Sequence, residues 1–265
     1  LYSLSTLGSI AGTFLAGFLL VPVLGYAVVV FSCGIVLLLI SFSLFLMEKK
    51  HVLFVAAMVV SAGLVLPWLV INTRPKDYID TDTQYNRVLI YNTTDVKTGR
   101  PIKMLRINDE NSSAMFLDND NDLVFEVLKY YRMVEHFSPG FKNALMIGGS
   151  GYAFPKDYLV RYPEASIDVV EIDPGLTTLA EQHFNLRKDK RLSIYHEDGR
   201  TYLNKCKNKY DAVFMDAYKS MLTIPYQLTT IEAVQKIYYV LNENGSVYAN
   251  IISSLNPDEN HFLLA

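Results

Sequence analysis

Two kinds of hydrophobic patterning divide the chain. Up to Met47 apolar residues run almost uninterrupted and no charged side chain occurs; from Glu48 onward they come in short blocks separated by charges and turn residues. A helical membrane span takes roughly 20 apolar residues, so the first stretch is too long for one crossing and fits two. Gly25, after Pro22, marks the turn between them. A third apolar run, "VLFVAAMVVSAGLVLPWLVI" from Val52 to Ile71, follows the charged "EKKH", with Trp68 near its end, where aromatic rings favour the headgroup layer. The pattern predicts three transmembrane helices, at about 1–24, 26–47 and 52–71. Gly8, Gly12, Thr13 and Gly17 make a small-residue stripe on the first, suited to close helix packing. No ionisable residue lies inside any of the three, so they read as an anchor or scaffold, not a pump.

Beyond a linker at 73–84 the periodicity changes. "YNRVLIYN" (85–92) and "PIKMLRIN" (101–108) read as partnered strands of a small β unit reaching to about 120. Apolar positions at helical spacing predict a helix over 122–137, closed by "SPG". Then strands at 144–148, 167–171, 192–196, 210–215 and 246–252 alternate with helices at 154–162, 175–184, 199–206 and 230–241. Such alternation implies crossover connections and a parallel sheet covered on both faces, a Rossmann-like α/β domain over 121–265.

Charge narrows the function. Lys and Arg total 24 against 27 Asp and Glu, a net −3 of mixed sign that argues against a nucleic-acid surface. Cys33 and Cys206 fall in different segments, so neither a disulfide framework nor a metal centre is implied. A chain running from Leu1 to "NPDENHFLLA" reads as a piece of a longer protein, its last domain cut short.

In an open α/β sheet the ligand lies beyond the carboxyl ends of the strands. "GGSG", residues 148–151, sits at the first strand-to-helix turn, where glycines let the backbone approach a ligand. Glu171 ends the second strand 20 residues after Gly151, where a carboxylate reaches ribose hydroxyls. Counting from Gly149, the third glycine of a dinucleotide fingerprint is replaced by Phe154, so a nucleoside fits better than a dinucleotide. "HEDGR" puts Asp198 and Gly199 at the third strand end, opposite an adenine amino group, and "YDAVFMDAYKS" puts Asp216 over the reactive end of the ligand. A lone carboxylate after a strand is commonly a helix cap; three in order favour a ligand site.

These residues resemble the spermidine synthases (polyamine aminopropyltransferases), and the whole chain resembles their membrane-fused bacterial relatives. "LMIGGSGYAFPKDYL", "VVEIDP", "HEDGRTYL" and "FMDAYKS" carry the likeness in order and spacing. The resemblance implies that Gly148, Gly149, Gly151 and Glu171 hold a thionucleoside, that Asp198 and Gly199 hold its adenine, and that Asp216 orients and deprotonates an amine. It sets Asn86 at the glutamine position of the family's "YQ" strand. On the acceptor side it points to Glu126, Tyr130 or Tyr131 in place of the family's Tyr-His-Glu segment, and to Tyr218 and Lys219 after Asp216. Two departures stand out: Gly151 replaces the aspartate of the glycine loop, and Lys219 replaces a second aspartate. A lysine there would repel a diamine's ammonium by roughly 1 to 4 kcal/mol at about 4 Å, which disfavours putrescine.

The resemblance implies aminopropyl transfer from decarboxylated S-adenosylmethionine to a small amine, with no metal. Methyl transfer from S-adenosylmethionine is the alternative on the same fold. A non-catalytic nucleoside sensor coupled to a transporter-like membrane part is a third reading. With an adenosyl donor, the expected location is a bacterial inner membrane, multi-pass in the lipid bilayer, with the α/β domain in the cytoplasm; further transmembrane helices or a homo-oligomer stay open.

Overall fold

The structure, a computed structural model, describes residues 2–20, 29–30, 32–40, 78–108, 110–218 and 223–251. The chain divides into two units, Leu1–Tyr78 and Ile79–Ala265.

In the first unit, α1 (Tyr2–Leu15) passes directly into a π-helical turn at Ala16–Leu20, and helical backbone recurs at 29–30 and 32–40. The 14 residues of α1 rise about 21 Å, short of a hydrocarbon layer of roughly 30 Å. Among the described residues no helix is long and apolar enough to cross a membrane. This corrects the expectation of three transmembrane helices, and with it the membrane location and the bilayer as a partner. Hydropathy reports how apolar a run is and not how long its helix is: the regular α ladder ends at Leu15, where hydrogen bonding widens to the π pattern. The run Val52–Ile71 lies outside the described residues, as does part of 26–47.

The second unit opens with a four-stranded antiparallel sheet in the order β1 (Ile79–Asp82), β2 (Arg87–Thr94), β3 (Pro101–Ile107), β4 (Glu110–Phe116). Val88, Leu89 and Ile90 of β2 and Met104 and Leu105 of β3 are buried in succession; Val88, Ile90, Leu105 and Met115 join the main core, while Ile102, Met104, Ala114 and Phe116 form a separate cluster. The predicted pair is therefore the middle of a larger sheet. A bridge from Leu123 to Met115 and ion pairs from Arg100 to Asp118 and Asp122 draw 117–123 onto this sheet. The expected helix over 122–137 consequently starts late and breaks into α2 (Glu126–Tyr130), a 3-10 turn (Tyr131–Met133) and α3 (Val134–Phe137).

The five-stranded sheet is wholly parallel, in the order β7 (Leu192–Tyr195), β6 (Ser166–Val170), β5 (Asn143–Ile147), β8 (Tyr210–Met215), β9 (Leu241–Ala249). The chain winds outward from β5 through β6 and β7, then returns to β8 and β9 on the other side, making β5/β8 the point where strand order reverses. Alternation along β5 builds both cores: Ala144 and Met146 face Phe154 and Tyr158 of α4 (Ala153–Arg161) and Leu176 of α5 (Pro174–His183). Leu145 and Ile147 face Tyr202 and Leu203 of α6 (Gly199–Lys205) and Ile237 of α7 (Ile231–Val240). Asp173, Asp198 and Thr230 cap α5, α6 and α7 through side-chain oxygens that accept backbone N–H groups.

Candidate active site

The carboxyl ends of the parallel strands are tied in one ladder. Backbone N–H groups of Glu171, Gly148, Asp216 and Asn250 donate to the carbonyls of Tyr195, Val170, Ile147 and Met215, at 2.9 to 3.0 Å. Residues far apart in sequence thus share one rim. Gly148 turns the chain out of β5 with φ +101°, and a β-carbon on it would meet the carbonyl oxygen of Asp216 at 2.5 Å. The turn continues through Ser150 and Tyr152, both left-handed at φ 47° and 55°. Non-glycine residues in that region cost about 1 to 3 kcal/mol each and gather where a loop is held for function.

Glu171 is what holds this loop. Its Oε2 accepts the N–H groups of Gly149 and Ser150 at 2.8 and 2.9 Å, and its Oε1 accepts that of Asp173 at 2.9 Å. Glu171 is buried, and burial raises its carboxyl above the usual range while the three amides pull it back. A carboxylate accepts about four hydrogen bonds, so beside these three amides one further donor fits. Asp173 serves a different purpose. One oxygen caps α5 through Gly175, and the other receives the Thr83 hydroxyl and Asn86 Nδ2, fastening the β1–β2 loop to the strand end. Asn86 also ties this loop to the end of β3, since its Oδ1 accepts from Asn108.

Asp198 also caps a helix: Oδ1 accepts Thr201 N–H at 2.9 Å and Oδ2 accepts Gln227 Nε2 at 3.2 Å. Gly199 is required by packing, because a β-carbon there would lie 2.6 Å from the Ile147 side chain. Between these rims runs a chain of hydroxyls, Tyr152 to Thr177 at 2.7 Å and Thr177 to His196 at 3.0 Å.

Asp216 follows β8 and stands over an aromatic floor. Tyr131 and Phe154 pack on Phe214 at 5.2 and 4.7 Å, and Tyr248 stacks on it at 5.2 Å. Asn250 Nδ2 donates to Asp216 Oδ1 at 2.9 Å. The buried Tyr131 hydroxyl lies beside the carboxylate, and its own burial, then the neighbouring Asp216, push its pKa well above the usual tyrosine range. Burial pushes the Asp216 carboxyl up to about 6, against the opposing effect of Asn250 and Tyr131. A carboxylate ionised at neutral pH, yet far more basic than a free aspartate, suits a proton acceptor.

Of the other candidates, Tyr218 reaches the same cluster through its hydroxyl, which donates to the Asn250 carbonyl at 2.6 Å. Glu126 and Tyr130 do not join it: Glu126 is exposed and ion-paired to Lys97, and Tyr130 is exposed. Lys219 lies outside the described residues. Gly151 faces the small β unit, where a β-carbon would meet Ser113 Oγ at 2.5 Å, while Ser112 and Ser150 share a hydroxyl contact at 2.8 Å. Asn250 and Ser113 were missed by sequence reasoning. The first reaches the site through the parallel register of Met215 with Ala249, which no local sequence pattern contains.

Residues 126–255 match the spermine/spermidine synthase domain family. A polyamine aminopropyltransferase of Vibrio vulnificus (strain CMCP6) is 31% identical over 121 residues, covering 44% of this chain and 40% of its own length. An eEF1A lysine and N-terminal methyltransferase homolog of Drosophila melanogaster is 29% identical over 119 residues, covering 42% of this chain and 18% of its own. The chain thus spans less than half the length of either relative. The crystal structure of a probable spermidine synthase from Corynebacterium glutamicum ATCC 13032 superposes with a TM-score of 0.57 at 22% identity, covering 67% of this chain and 64% of that one, a likeness of fold. Over residues 126–255 the chain is therefore similar to the spermine/spermidine synthase domain family.

Proposed function

We propose that this protein transfers an aminopropyl group from decarboxylated S-adenosylmethionine to a small amine. The observation that carries this reading is Asp216, poised with its carboxyl near 6 on the strand-end rim beside the glycine turn, over the floor of Phe214 and Tyr131. The nucleoside half of the donor belongs along Gly148, Gly149 and Gly151, with Glu171 at the ribose and Asp198 and Gly199 at the adenine. Glu171 fits this role through its remaining acceptor capacity, which suits one ribose hydroxyl.

The step balances as follows. The amine nitrogen gives a proton to Asp216, and its lone pair forms the bond to the methylene carbon beside the sulfonium. The carbon–sulfur bond breaks, its electron pair stays on sulfur, and methylthioadenosine leaves uncharged at sulfur. Tyr131, whose hydroxyl neighbours the carboxylate, and Tyr218, whose hydroxyl donates to the Asn250 carbonyl, are the acceptor-side contacts in this reading. Methyl transfer from S-adenosylmethionine is the second reading, favoured by the lack of a side chain at Gly151 to grip a substrate amine. A product assay by mass spectrometry, offering both donors with a panel of amines, tests them. Gain of an aminopropyl unit, lost in Asp216→Asn, supports the proposal; gain of one methyl, or no product from either donor, overturns it.

A further inference from the structure

We propose that Asn250 is a positioning residue for Asp216, holding one carboxylate oxygen so that the other faces the incoming amine. The inference rests on the aminopropyl-transfer reading and refines its proton-accepting step. Asn250 is fixed from three directions: its N–H donates to the Met215 carbonyl at 3.0 Å, its own carbonyl accepts the Tyr218 hydroxyl at 2.6 Å, and its Nδ2 donates to Asp216 Oδ1 at 2.9 Å. Parallel pairing of Met215 with Ala249 puts residues 216 and 250 side by side as the strands leave the sheet.

A carboxylate on an aspartate turns in a broad, nearly two-fold well. One anchored donor selects an orientation and leaves Oδ2 for an amine N–H. The same donor favours the ionised form, since a hydrogen bond to a carboxylate lowers its proton affinity. It thereby offsets part of the burial that raises Asp216. Among the described residues, Tyr131, from the 3-10 turn, and Tyr218, from the loop after β8, belong to the same cluster, and burial raises the Tyr131 hydroxyl well above the usual range. Asn250 is therefore the group whose removal moves the titration most.

The test compares the wild type with Asn250→Ala, Asn250→Asp and Asn250→Ser in two measurements. The first is the carboxyl-carbon NMR titration of Asp216, assigned by its absence in Asp216→Asn. The second is the pH dependence of kcat, with KM for the nucleoside donor. Asn250→Ala is expected to move the NMR midpoint and the acid limb of kcat up together, by about 1 pH unit, because one hydrogen bond to the charged form is lost. KM for the donor should stay within about twofold, since the hydrogen bonds of Asn250 run to Met215, Tyr218 and Asp216, none of them assigned to the nucleoside. Asn250→Asp should move both further through like-charge repulsion. Asn250→Ser, which keeps a donor, should return them toward wild type and covers the case in which the alanine variant fails to fold. An Asp216 midpoint unmoved by every folded variant overturns the role. A wild type that turns over neither donor defeats the reaction reading instead, and the NMR arm still decides Asn250.

Discussion

Gly148 presses on the backbone of Asp216 so closely that a β-carbon would stand 2.5 Å from its carbonyl oxygen. The glycine turn and the candidate base are thus one rigid unit. Gly148→Ala would add a clash with backbone to the strain of a side chain at φ +101°. A loss of about 2 to 4 kcal/mol is expected, from the cost of strained backbone and local repacking. Urea unfolding checks this as a lower midpoint at constant slope.

Asp216→Asn should stabilise the fold while removing turnover. The Asp216 carboxyl is raised from 3.8 to about 6, so the folded state holds this proton more tightly than the unfolded chain. Stability from this group is present below pH 4 and lost as pH rises through about 6. Above that, the buried charge costs up to about 3 kcal/mol, which asparagine removes. Melting temperatures should therefore be higher for the variant at pH 7.5 and converge with wild type near pH 4. An equal gap at both pH values would remove the buried charge as the cause.

Glu171→Gln should loosen the glycine turn and weaken nucleoside binding together. A glutamine amide turns one acceptor oxygen into a donor, setting N–H against the N–H of Asp173 or of Gly149 and Ser150. The expected loss is about 1 to 3 kcal/mol of stability, with calorimetric affinity for methylthioadenosine at least tenfold weaker. Unchanged affinity in the folded variant would exclude Glu171 from the ribose.

Position 151 is small because Ser113 fills the space beside it. Gly151→Asp alone should be destabilised by about 1 to 3 kcal/mol through overpacking. Pairing it with Ser113→Gly should recover most of that loss and, in the proposed reaction, improve the use of diamines over monoamines. Additive losses in the double variant would show that Ser113 is not the constraint.

Much of the second unit was decided by sequence. The strand expected at 210–215 is β8 itself, and the helices expected at 175–184 and 230–241 end within a residue of α5 and α7. Strands buried on both faces must be continuous apolar runs, and their helices carry caps that are local in sequence, so both signals survive without coordinates. Glu171 and Asp216 were legible for the same reason, as polar residues that end such runs. Tertiary structure decided the rest. β4, "ENSSAMF", is half polar and becomes a strand through pairing with β3, and Leu123 leaves its helical pattern to bridge Met115. Asn250 meets Asp216 across 34 residues, and Ser113 meets Gly151 across a different sheet; both depend on register, which no local pattern contains. Glu126 fits a sequence motif yet spends its charge on Lys97 at the surface. At the amino end, composition determined that Leu1 to Met47 is apolar and uncharged, but the length of regular α-helix that a crossing needs is set by the folded chain, where the α pattern of α1 gives way to a π turn after Leu15.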